Sequence, residues 1–62
     1  MNNLIKLPGV KSMTGLSKSS IYTMMRKGLF PKSIVIADRA VAWIEAEIQE
    51  WIENKVSSSR RG

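Results

Sequence analysis

The chain has 62 residues and a net charge of +5, a length that suits one small domain burying only roughly 60% of the surface its unfolded chain exposes. It contains neither cysteine nor histidine, which excludes a disulfide framework, a Cys/His zinc site, a thiol nucleophile and an imidazole base; no enzyme, metal or cofactor chemistry is expected. No apolar run nears the roughly 20 residues of a membrane span and no signal-peptide core follows the N-terminus, so the expected setting is cytoplasmic, away from the membrane.

Leu4, Ile5 and Leu7 predict a short extended segment. Pro8 fits the first turn of a helix over residues 8–14, with Val10 and Met13 three apart on its inner side. Gly15 can take the positive φ of a sharp turn, and the Ser17 hydroxyl can accept from an unpaired backbone N–H, so a second helix starts at Lys18. At 100° per residue Ile21, Met24, Met25 and Gly28 share one side of it. Ser19, Tyr22, Thr23 and Arg26 fall opposite, flanked by Ser20 and Lys27. Gly28 then ends the helix, Leu29 and Phe30 return to the core, and Pro31 biases Phe30 away from helical geometry.

Residues 33–43 alternate as a β-hairpin with Asp38 and Arg39 at its tip. That tip pairs Ile36 with Val41 and Ile34 with Trp43, gathering the four large apolar residues on one face opposite Val35, Ala37, Ala40 and Ala42. Arg is costly at positive φ, so Asp-Arg fits the mirror-image hairpin turns poorly, and a bulge would change this register. A last helix of about 12 residues begins near Ile44 or Glu45, with Ile44, Ile48, Trp51, Ile52 and Lys55 in its inner sector. Its glutamates suit the positive helix N-terminus and would repel phosphate, which places this helix away from a polyanion. Residues 57–62 are polar, without an apolar anchor, and predict a disordered tail after a domain of residues 1–56.

Charge is unevenly divided. Residues 1–44 carry seven Lys/Arg against one acid, Asp38, a net +6, whereas residues 45–62 carry three cations against four glutamates, a net −1. The basic half is the half that holds the turn and second helix, as suits a double-stranded DNA partner. Ser19, Thr23 and Arg26 are candidates for base edges, Arg26 because a guanidinium can engage guanine O6 and N7 together; its bland role is to complement the dipole of the last helical turn. Ser17 and Lys18 suit phosphate at the helix N-terminus. Tyr22 sits on the shoulder, its ring against the core margin and its hydroxyl toward phosphate, with Lys27 beside it. Lys32 and Arg39 are candidates for backbone or minor-groove contact from the hairpin. Trp43, Trp51, Met24 and Met25 read as packing residues.

Helix, turn, helix, hairpin and helix together describe a mainly α fold with a small β-hairpin, a winged helix-turn-helix. The chain resembles the AlpA family of prophage-associated regulators over about residues 4–55. The resemblance rests on Thr14-Gly15-Leu16-Ser17, Ser20-Ile21-Tyr22, Gly28 with Phe30-Pro31-Lys32, Arg39-Ala40-Val41 leading to Trp43, and then Glu47 and Trp51. Pro8-Gly9 stands where similar proteins carry polar helix formers, and Asp38 where glycine is common. The resemblance implies a sequence-specific DNA-binding transcriptional regulator of a prophage or mobile element, akin to excisionases and MerR-type proteins and controlling integrase expression or excision. The alternatives are an excisionase-like DNA-bending factor or a module that binds an acidic protein such as a response regulator. A last helix this short leaves no coiled coil for dimerisation, so a monomer in solution, cooperative on adjacent DNA sites, is expected.

Overall fold

Helix ends organise the first half of the molecule, which a computed structural model describes over residues 3–61. Gly15, at φ 72°, ends α1 (Leu7–Thr14) with its N–H donating to the Lys11 carbonyl at 2.8 Å. Ser17 caps α2 (Lys18–Arg26), its Oγ accepting from the Ser20 N–H at 3.2 Å. Past α2, Gly28 adopts φ 74°, the Leu29 N–H donates to the Met24 carbonyl at 2.8 Å and the Gly28 N–H to the Met25 carbonyl at 3.1 Å. This pair of bonds is a Schellman motif, and it satisfies carbonyls the helix would otherwise leave open.

Strands β1 (Leu4–Ile5), β2 (Ile34–Ala37) and β3 (Ala40–Ile44) form an antiparallel sheet in the order β1-β3-β2, followed by α3 (Glu45–Arg61). The short N-terminal segment is thus a full member of the sheet: Leu4 pairs with Ile44 and Ile5 with Trp43, and the Glu45 N–H donates to the Asn3 carbonyl at 2.8 Å. Each helix, the linker after α2 and β3 supply the core with one large side chain, Val10 from α1, Ile21 from α2, Phe30 from the linker, Trp43 from β3 and Ile48 from α3. Both indoles are bonded to the linker after α2. Trp43 Nε1 donates to the Pro31 carbonyl at 3.0 Å and Trp51 Nε1 to the Leu29 carbonyl at 2.8 Å, while Phe30 meets Trp51 edge-on at 4.8 Å between ring centroids.

Four expectations are corrected. Asp38 and Arg39 do form the hairpin tip, but Ile34 pairs with Ala42 and Val35 with Val41, with a bulge between Val35 and Ala37. Only Arg39 of the two takes positive φ, at 61°, so the tip is not the mirror-image turn in which both central residues do; the inserted residue, Ile36, bends the strand instead. Second, the four large apolar residues do not share a buried face, because β2 is exposed along its whole length while Trp43 is fully buried. Third, only Phe30 of the linker pair returns to the core; the tight Schellman turn leaves Leu29 exposed, and Gly28 as well. Fourth, α3 runs 17 residues to Arg61, taking in residues 57–61 that composition assigned to a disordered tail. No glycine or proline interrupts it, and each residue added to a nucleated helix gains a hydrogen bond.

Gly9 sits inside α1 for a steric reason. A Cβ there would lie 2.5 Å from Ile5 Cγ1 and 2.8 Å from its Cδ1, so the glycine lets β1 pack directly on the helix. Alanine would gain about 1 kcal/mol in helix propensity but force an overpacked contact costing about 1–3 kcal/mol. Gly9→Ala is therefore expected to lower the thermal midpoint, and a rise in that midpoint would show that Ile5 yields without cost.

Candidate nucleic-acid interface

The α2 side chains predicted to face outward do so together. Lys18, Ser19, Tyr22, Thr23 and Arg26 line a groove of about 670 Å³, closed along its other side by Lys32 and Ser33 from the segment entering β2. Its depth comes from local sequence. The Schellman turn reverses the chain, Trp51 fastens residue 29 to α3 and Trp43 fastens residue 31 to β3, and residues 32 and 33 are thereby held alongside α2. Ser19 and Arg26 are exposed, Thr23 is half-buried, and Met25 supplies an apolar strip. Three cations and no carboxylate line the groove, so its field attracts anions along the length of the helix.

Tyr22 also lines a second, smaller hollow of about 300 Å³, which it shares with Lys6, Leu7, Pro8, Lys18, Arg39, Ala40 and Val41. Its ring meets Trp43 edge-on, with centroids 6.3 Å apart, so a buried indole sets the position of the tyrosine that separates the two concavities. Arg39 thus lies with Lys18 at this hollow, apart from the groove that holds Arg26 and Lys32. Ser17 and Lys27 line neither one. The Ser17 hydroxyl is engaged in capping, donating to Ser20 Oγ at 3.1 Å as well as accepting from its N–H, and Lys27 is the exposed C-cap of α2. Lys6 was missed by sequence reasoning. The signal available was its place among the cations of the basic half; which concavity it reaches depends on the pairing of β1 with β3.

Among the described residues no polar or charged side chain is buried, no group of three or more His, Cys, Asp or Glu could hold a metal ion, and no helix is long and apolar enough to cross a membrane. Acids are placed elsewhere, with Glu47 and Glu50 beside Trp51 in a separate hollow between α3 and the linker.

A two-helix unit with a basic groove, followed by a hairpin wing and a supporting helix, defines a winged helix-turn-helix protein. The profile of the Prophage CP4-57 regulatory protein (AlpA) family matches residues 3–56, and the chain belongs to that family, a family of regulators and not of enzymes. It is 33% identical over 66 aligned positions to the DNA-binding transcriptional activator AlpA of Escherichia coli (strain K12), an alignment covering 89% of this chain and 94% of that protein. It is 34% identical over 58 positions to the uncharacterized protein ORF88 of Enterobacteria phage P4, covering 94% of this chain and 66% of the phage protein.

Proposed function

We propose that this protein is a sequence-specific regulator of transcription that reads double-stranded DNA with α2 and grips the backbone with its hairpin. The observation that carries the reading is the groove along α2, where hydroxyls able to bond base edges and a guanidinium able to engage guanine stand among cations with no carboxylate. Membership of a prophage regulator family and likeness to a protein named as a DNA-binding transcriptional activator support it. Within it, Ser19, Thr23 and Arg26 contact bases; Lys18, Lys32, Arg39 and the Tyr22 hydroxyl contact phosphate. Ser17 acts through the helix N-terminus it caps, and Lys27 adds attraction from outside the groove. The regulated process is integrase expression or excision of the element that encodes the protein. The chain works as a monomer that occupies neighbouring sites cooperatively.

A salt titration on duplex DNA flanking the encoding gene, compared with its scrambled sequence, tests this. About five phosphate contacts predict a log–log slope near −4 to −5 with a preference for the native sequence at every salt concentration. Absence of any preference, together with tight capture of an acidic protein, would replace the DNA reading with a protein-interaction role. Sedimentation without DNA at micromolar concentration checks the monomer, and a stable dimer there would refute it.

A further inference from the structure

The smaller hollow beside Tyr22 gathers three cations from parts of the chain far apart in sequence. Lys6 comes from the β1–α1 junction, Lys18 from the start of α2 and Arg39 from the hairpin tip, and no carboxylate lines the space between them. Their like charge gives the hollow a positive field that favours an anion. Arg39 adds an independent sign. It is the one non-glycine residue at positive φ among the described residues, at 61°, a conformation an arginine adopts at a cost and which glycine would take freely. A strained residue whose side chain lines a cationic hollow points to a use for that side chain in binding. Lys6 stands at the N-cap position of α1 and is exposed, with its side chain at the rim of this hollow.

We propose that Lys6, Lys18, Arg39 and the Tyr22 hydroxyl form a clamp for one backbone phosphate, making Lys6 a DNA-contacting residue and fixing the register of α2 in the adjoining groove. The clamp rests on the reading of that groove as a duplex interface and adds a site beyond it. One phosphate held from three directions determines where the helix lies along the duplex, as phosphate contacts do without reading sequence. The carboxylate of Asp38 neighbours Arg39 in sequence but is not among the groups lining the hollow.

The test uses a short duplex of arbitrary sequence, since the clamp needs no cognate site, and four folded proteins: wild type, Lys6→Gln, Arg39→Gly and Lys11→Gln. Lys11 is exposed on α1 and lines neither concavity, so its loss removes the same charge from a neutral place. Lys6→Gln and Arg39→Gly are expected each to weaken binding by roughly three- to tenfold, as for a lost charge-assisted hydrogen bond at a surface, and Lys11→Gln much less. Arg39→Gly should at the same time raise the thermal midpoint by releasing the strain at the tip. If wild type binds the duplex and Lys6→Gln binds as well as it does, or no worse than Lys11→Gln, the clamp is wrong while the groove reading stands. Failure of wild type itself to bind any duplex would overturn both.

Discussion

Trp43→Ala is expected to leave the domain mostly unfolded at room temperature. Trp43 is fully buried at the centre of a core to which every helix contributes, and its ring positions Tyr22 from below. Removing so large a buried side chain costs about 3–5 kcal/mol. A chain of this length has a total stability of only about 3–9 kcal/mol, scaling from typical values per residue. Loss of the indole N–H also leaves the Pro31 carbonyl without its 3.0 Å partner. Far-ultraviolet circular dichroism should show most of the helix signal gone, and Trp43→Phe, which keeps much of the volume, should melt cooperatively at a lower temperature than wild type. A Trp43→Ala protein that melts within a few degrees of wild type would mean that the core is not organised around this residue.

Arg26→Ala should change which sequences are preferred more than how tightly DNA in general is held. Arg26 lies exposed in the last turn of α2 at the groove shared with Ser19 and Thr23. A bidentate contact to guanine O6 and N7 is worth about 1–3 kcal/mol of discrimination at one base position. Lys18→Ala provides the contrast: it should weaken all duplexes alike and reduce the magnitude of the salt slope by no more than about one, since Lys6 and Arg39 remain at the same phosphate. Neither side chain is in the core, so both variants should retain the wild-type helix signal. If folded Arg26→Ala keeps both affinity and sequence preference, α2 does not read bases through that residue.

Legibility in the sequence followed the range of each interaction. The ends of α1 and α2 depend on residues within a few positions of one another, so Gly15, Ser17 and Gly28 could be assigned from local chemistry, and the structure gives them those roles. The outward face of α2 was legible for the same reason, since helical periodicity fixes it. Strand register was not. The hairpin tip was placed correctly at Asp38 and Arg39, yet one inserted residue at Ile36 moved every pairing beyond it, and alternation of apolar residues carries no sign of such an insertion. Pairing of Leu4 with Ile44 joins residues far apart in the chain through a strand too short to show a period. With it went the placement of Lys6, which follows that strand directly. The exposure of Leu29 was equally hidden, because its hydrophobicity argued for burial while the turn geometry that decides its direction is set by backbone bonds to Met24 and Met25.

The two indole bonds to the linker bear on the proposed duplex as well as on the protein. With the Leu29 carbonyl tied to α3 and the Pro31 carbonyl tied to β3, the segment between α2 and the wing has little freedom to pivot. The separation between α2 and the wing is then a fixed length, and a duplex bound as proposed would have to conform to it. Flexible steps such as TA or CA/TG, lying between the two zones of contact, lower the work of that adjustment. On the proposed duplex reading, base pairs that no side chain reaches would carry part of the target's identity.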